Sequence, residues 1–584
     1  MLLLYIYFSK MDLYKRLNEI SENEYEEITL QSPLEKYLDL SLNRTIQSYE
    51  QRHDENKYTI TDIHGNVKKC FMKHIPLVDF LKYLLGKFKN DNLDILPHQV
   101  EELEKADSRY SKCISDINNY SYVDSFYYYL TSVLKIKYNF VHGIECYDSF
   151  ICQKKKCKIN VADDIEYLCD SSYFNGNLNK MYSFDDEGIK SIFNENKKEK
   201  LNISDPCELL NIEEVVVEKL DEPPCEKEII IEAYEKPEGQ SDDDENEDEL
   251  EEHEEAIETL TSDDEKETDD DEKETDDDEK ETDDDDDDLV VHTSDEEMFS
   301  DDDDDDDDGS DGSQSDEKDD DEEEDGDDEL WLNIHRMPTQ VVSLESCENT
   351  LDYLLEKDLL KIEELESVMF QVVTILNTYQ SLFKFTHNDL HTNNIMYTET
   401  EIEHLYYKIN GKYYKVPTFG KIYKIIDFGR AIYYCKDKLL CSDSFSSNGT
   451  AHTQYNFGPY YNDKKPVLEP NYSFDLCRLA CSIFDFICDD ITSINKYRKA
   501  TPVYDLIFSW LYDDNGRNVL YRANGEDKYP GFKLYKMISK IVHNHIPERQ
   551  YEHACMSKYS VEEGEVLQRT DIMDIDGLKS SVHL

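Results

Sequence analysis

The sequence predicts an α+β protein in two parts, the first mainly β and the second mainly helical, with a long acidic insertion interrupting the first. Three observations carry this. Ahead of residue 160, short apolar and β-branched runs alternate with turn residues; beyond residue 348, apolar residues recur at helical spacing. Between them, residues 241–330 are dominated by Asp and Glu and show no apolar period, so that roughly fifty of the 72 net negative charges fall there.

Taken in order, the opening MLLLYIYF is apolar for only eight residues, has no basic region before it and leads to Lys10 and Lys15. It does not read as a signal peptide, and Met11 is an alternative start. No stretch reaches the eighteen or so apolar residues of a membrane span, so no membrane is expected. Lys57–Ile63 and Val67–His74 read as strands joined through His64-Gly65-Asn66. Tyr122–Lys137 reads as an apolar, aromatic helix and Phe140–Cys152 as a strand.

The acidic segment holds three seven-residue units, Asp263–Asp269, Asp270–Asp276 and Asp277–Asp283, each DDEKETD. Such a tract repels itself and has little apolar surface to bury, so an extended, solvated linker is expected. Its functional alternatives are a lure for a basic protein partner, or a phosphoacceptor region, since Ser262, Ser294 and Ser300 are each followed by acids. That much negative charge argues against nucleic acid as a ligand. After it, Thr339–Leu344 reads as a strand ending at Glu345, followed by helices near Thr350–Lys357 and Ile362–Leu382.

Composition bounds the rest. An apolar fraction of 38%, with 42 Tyr and 23 Phe, suffices for real cores on both sides of the insertion. The 15 Cys are odd in number and follow no disulfide framework, which points to a reducing, intracellular compartment. Cys152 and Cys157 are too loosely spaced, without a second pair nearby, to read as a zinc site rather than ordinary thiols.

The chemistry is concentrated in two segments, THNDLHTNNIMY at Thr386–Tyr397 and YKIIDFGRA at Tyr423–Ala431, with a hairpin expected between them. Phosphoryl transfer needs a carboxylate to orient the acceptor hydroxyl and oxygen ligands for the metal that neutralises phosphate charge. Asp389 can supply the first, Asn394 and Asp427 the second.

Together these segments resemble the protein-kinase superfamily, and their wording is similar to protein kinases of giant DNA viruses. The resemblance covers roughly Gln340–Pro547 and extends more weakly over Lys36–Ile151. It implies a two-lobed kinase-like fold that uses ATP and Mg2+. Asp389 matches the catalytic Asp, within a loop that includes His387; Asn394 and Asp427 match the metal ligands, with Phe428 and Gly429 completing the DFG triplet. In NYSFDLCRLACSIFDF, Asp475 matches the buried acid that braces the catalytic loop. In CFMKHIPL, Lys73 matches the lysine that holds the ATP phosphates, ahead of its neighbours Lys68 and Lys69, and Asp124 is its expected carboxylate partner. Leu344 falls at the gate of the adenine pocket and Glu345, Ser346 and Cys347 at the hinge, where backbone more than side chains would hold adenine.

The implied boundaries are an N-terminal extension at 1–35, the first part of the β lobe with extra helices at 36–235, and the insertion at 236–330. The last strand and hinge follow at 331–347, the helical lobe at 348–553 and a C-terminal tail at 554–584.

Several residues depart from the family pattern. No GxGxxG loop precedes Lys73, and the turn at Gly65 is the available stand-in. Asn388 stands where regulated kinases carry Arg, which implies activity independent of phosphorylation at Ser444, Ser446, Ser447 or Thr450. His391 replaces the usual Lys and makes DLH similar to aminoglycoside and choline kinases. The leading expectation is a Ser/Thr protein kinase acting on a protein substrate, in a host cytoplasm or packaged in a virion if viral. The alternatives are a small-molecule phosphotransferase, or a non-catalytic scaffold organised around the acidic tract.

Overall fold

The computed structural model describes residues 12–30, 32–39, 45–99, 108–162, 164–184, 330–488, 493–522, 525–566 and 568–582. All of these belong to one compact unit, residues 1–200 with 324–584; the second unit, 201–323, and with it nearly all of the acidic insertion, lies outside the described residues.

The first part is a curled, antiparallel sheet. Its strands are β1 (Tyr25–Thr29), β2 (Ile46–Arg52), β3 (Lys57–Asp62), β4 (Val67–Pro76), β5 (Cys146–Asn160), β6 (Tyr182–Phe184) and β7 (Trp331–Glu345). They lie in the order β1-β5-β7-β4-β3-β2, with β6 also paired to β7. The order follows from burial. β7 is buried on both faces from Met337 to Leu344 and must be central, whereas β2 buries only Ile46 and Tyr49 and takes an edge. Register puts Lys73 opposite Val342 and Phe71 opposite Leu344, so this part of β4 lies along the end of β7.

One face of the sheet packs on its own cluster, in which Leu13, Tyr14, Leu17 and Tyr25 meet Tyr49, Ile60, Met72 and Val341. Residues 12–30, expected within an N-terminal extension, complete the sheet: Leu13, Tyr14 and Leu17 cover one face and Tyr25–Thr29 supplies β1, paired with β5. The other face packs on helix α1 (Tyr120–Tyr138). Asn119 caps α1 by accepting the Ser121 N–H, and Asn139, with φ 57°, ends it.

Phe140–Cys152 was expected as one strand, but β5 begins only at Cys146. The preceding residues turn back: Phe140 N–H donates to Leu134 O and Gly143 N–H to Phe140 O. Only glycine fits at 143, where a Cβ would lie 2.2 Å from the Thr131 carbonyl oxygen. An apolar run does not by itself distinguish a buried loop from a buried strand.

The second part is mainly helical, built on α2 (Ile362–Phe383), α3 (Phe474–Ile487) and α4 (Phe532–Ile541). Between α2 and α3 the chain forms β8 (Ile395–Glu399), β9 (His404–Ile409), β10 (Lys412–Pro417), β11 (Lys421–Ile425), β12 (Ile432–Cys435) and β13 (Lys438–Cys441). β8 pairs with β11, and the intervening β9–β10 hairpin is the one expected between the two motif segments. The expected tail is no tail. Its strands β14 (Ser560–Val561) and β15 (Ile572–Asp574) flank that hairpin, and Met573, Ile575 and Leu578 enter the main core. Among the described residues no helix is long and apolar enough to cross a membrane.

Candidate functional site

The site forms where α2 ends. Lys384, with φ 49°, caps the helix, and Thr386 then exchanges two backbone hydrogen bonds with Ile432. This brings the Thr386–Tyr397 segment alongside the chain that follows β11. Asp475, in the first turn of α3, is fully buried and accepts the N–H groups of His387 and Asn388, each at 2.9 Å. Burial raises its carboxyl above the ordinary range, while the two N–H groups and the helix N-terminus favour its charge. Asn388 takes a left-handed conformation, φ 65°, held by its amide to Arg430 O and by Tyr455 Oη to its own Oδ1. His387 Nε2 bonds Ile426 O at 2.9 Å and ties this loop to the end of β11.

These supports present Asp389 on the surface of the loop. Tyr535 on α4 donates to its Oδ1 at 2.8 Å, and Arg430 lies 3.5 Å from Oδ2. Asn394 Nδ2 donates to Asp389 O at 2.9 Å and to His391 Nε2 at 3.0 Å, so the amide is turned back towards the loop. His391 accepts that bond, and burial lowers its pKa, so it stands neutral beside Asp389.

Lys73 joins three elements. Its ammonium lies 2.9 Å from Asp124 Oδ2 on α1 and 2.8 Å from Asp427 Oδ1, with the Tyr128 ring 5.3 Å away. Burial alone would lower the Lys73 ammonium; the two carboxylates override it and hold it above its ordinary value. Asp427 is held down to about 2 by Lys73, and burial pushes Asp124 up to about 6. Asp427 has φ 64°, an uncommon conformation fixed by its N–H to Tyr128 Oη. Phe428 N–H donates to Asp124 Oδ1 at 2.6 Å, and its buried ring packs edge-on or tilted against Tyr127, Tyr128, Phe385 and His387. Gly429 O accepts the Ser442 hydroxyl. Lys68 and Lys69 are placed elsewhere: Lys68 pairs with Glu145 and Asp62, and Lys69 is exposed.

The turn facing Lys73 is not the expected one. Gly65 lies beyond the Thr61–Val67 pair, and Lys73 is six residues further along β4, about 20 Å away. The β2–β3 turn, His53–Asn56, is the near one, since Asn56 O accepts the Met72 N–H. It has no glycine and carries Asp54 and Glu55. Arg52 holds it through the carbonyls of Asp54 and Glu55 and pairs with Glu24.

At the end of β7, Leu344 is buried between Phe71 and Cys146. The Glu345 carboxylate is committed to Lys135 at 2.6 Å and Lys424 at 3.2 Å. Burial opposes its charge, but the two lysines outweigh this and lower its pKa. Cys347 is half-buried, its thiol pushed up to about 11 by burial. Lys424 is fully buried, lowered to about 8 by burial, and donates to Val141 O and Gly143 O. Sequence reasoning missed it, although a lysine within the apolar run YKII was a visible signal.

Asp427 and Asn394 fit the donor set of a magnesium ion. One is an ionised carboxylate with half of its side chain exposed, and the other is an amide whose nitrogen is engaged by Asp389 O and His391 Nε2. No family model matches the chain. The serine/threonine-protein kinase haspin of Bos taurus is 32% identical to it over 74 residues, 13% of this chain and 10% of the relative's length. The chain thus spans about a tenth of that relative and is similar, over a short stretch, to a Ser/Thr kinase.

Proposed function

We propose that the chain is an ATP- and Mg-dependent protein kinase that transfers the γ-phosphate to Ser or Thr hydroxyls, on a protein-kinase-like fold. The observation that carries this reading is Lys73 bridging Asp124 and Asp427 while Asp475 holds the Asp389 loop from beneath. In it Lys73 holds the ATP phosphates, Leu344 and the backbone of Glu345 and Cys347 border adenine, and Asp389 orients the acceptor hydroxyl. Asn394 and Asp427 would hold magnesium, which when bound neutralises charge on the phosphates. Asp124 keeps Lys73 in place, and the left-handed Asp427 backbone aims its carboxylate at the cleft. Catalysis here is positioning plus charge stabilisation.

The chain after Gly429 is also supported without a phosphate. Asn118 accepts the Cys441 N–H with Oδ1 and the Asp443 N–H with its carbonyl, and Asp443 Oδ1 accepts the Tyr120 N–H at the start of α1. That favours activity independent of phosphorylation at Ser444, Ser446, Ser447 or Thr450. A non-catalytic scaffold is the second reading, favoured by the acidic turn at Asp54 and Glu55.

An acceptor screen tests the substrate class. With Mg-ATP and labelled γ-phosphate, label is expected on Ser or Thr of a mixed protein acceptor and not on choline or aminoglycosides. Label on the small molecules alone would replace the reading with a small-molecule phosphotransferase, and label on nothing would leave the scaffold.

A further inference from the structure

Cations converge on Asp389 from several parts of the chain. Arg430 lies 3.5 Å from Asp389 Oδ2. Arg478 on α3 donates through Nε to Tyr535 Oη at 2.9 Å, and that hydroxyl donates to Asp389 Oδ1. The two guanidinium groups stand 5.8 and 5.1 Å from the Tyr535 ring centre. Immediately beyond Tyr535, Lys536 and Lys540 are four residues apart on α4 and share a face. Lys465 is exposed in the segment before α3. Burial, then Lys540 and Lys465, lower the Lys536 ammonium, and His452 is lowered by burial, Lys536 and Lys465.

Asp463 and Glu469 lie in the same segment as Lys464 and Lys465, and they leave the surface cationic once Arg430, Arg478 and the α4 lysines are included. Such a concentration is unexpected in a chain of 134 acidic and 62 basic residues. Like charges gathered beside one functional carboxylate repel one another and favour an anionic counterpart.

We infer that this surface selects acceptor hydroxyls flanked by acidic residues, an inference that rests on the protein-kinase reading above. The acidic side chains of the acceptor pair with Lys536 and Lys540 while its hydroxyl reaches Asp389. The transfer itself keeps its balance: the acceptor oxygen bonds the γ-phosphorus, and the bond from that phosphorus to the bridging oxygen of ATP breaks. ADP leaves with the electron pair, and the hydroxyl proton passes to Asp389. Sequences of this chemistry occur in the chain itself, at Ser262, Ser294 and Ser300.

Three peptides test the inference on the full chain with Mg-ATP: the sequence of residues 291–302, VHTSDEEMFSDD, a version with its acids replaced by Asn and Gln, and one with them replaced by Lys. The expected result is a kcat/KM for the acidic peptide at least about tenfold above the neutral one, with the Lys version lowest. That ratio should fall about fivefold or more in Lys536→Ala/Lys540→Ala and invert in Lys536→Glu/Lys540→Glu, each variant checked for an unchanged melting curve. Transfer to a mixed Ser/Thr protein without a preference for the acidic peptide would overturn the inference alone, as would a ratio that the folded variants leave unmoved. No transfer to any peptide or to protein would overturn the kinase reading, and this inference with it.

Discussion

An ammonium shared by two carboxylates does not treat them alike. Asp427, half in solvent, gains most from Lys73 and stays ionised down to about 2; Asp124, fully buried, is pushed up to about 6. The ion pair that positions Lys73 is therefore complete only where Asp124 is charged. It is present above about pH 6 and lost as pH falls through that value, because protonation removes the charge that faces Lys73. A kcat/KM for ATP that declines about tenfold per pH unit below 6 is the expected profile, read by initial rates across pH 5–8. Asp124→Asn should lack this limb and run about 10- to 100-fold lower at pH 7.5. The residues of this cluster were legible in the sequence because each sits in a short motif whose spacing is set by one local element: HxDxxxxN on one loop, DFG after one strand. Asp124 was legible because it is the single acid inside an apolar helix. Glu345 and Lys424 were less so, since their meeting depends on β11 passing beside the loop before β5, and no local pattern records that.

Strands and helices with strong period were readable, as were the β3–β4 pair, α1 and α2. Boundaries failed where apolar residues serve a loop, as at Phe140–Ile144, and where a strand abuts charge. β7 starts at Trp331, eight residues before the expected run, because β5 and β6 give that stretch its partners. The turn that faces Lys73 was missed for the same reason. Read locally, Gly65 was the attractive candidate, but only sheet pairing shows which end of a hairpin approaches the lysine. His53–Asn56 consequently carries an expectation of its own. A carboxylate facing phosphate across solvent opposes it by roughly 0.5–1 kcal/mol. Asp54→Asn/Glu55→Gln should lower the KM for ATP about three- to tenfold, with the effect shrinking at high salt. A KM that rises instead, in steady-state kinetics at low ionic strength, would show that the turn assists nucleotide binding.

Across the whole molecule, the pairings that sequence could not show are those between distant segments. β1 pairs with β5 across more than a hundred residues, and β15 lies parallel to β9 across more than 150. Tyr25–Thr29, expected within an N-terminal extension, and Ile572–Asp574, expected within a C-terminal tail, are thereby built into sheets. The acidic insertion connects β6 to β7 within one sheet, which is tolerable because loop-closure entropy grows only logarithmically with length. What the assembled site does is read by transfer of labelled γ-phosphate from Mg-ATP to a mixed Ser/Thr protein by the intact chain, by Asp389→Asn and by Asp427→Asn. The account expects label on Ser or Thr with the intact chain and a loss of about a hundredfold or more in each variant, with folding unchanged. Transfer that persists in both folded variants, or none from the folded intact chain, would contradict it.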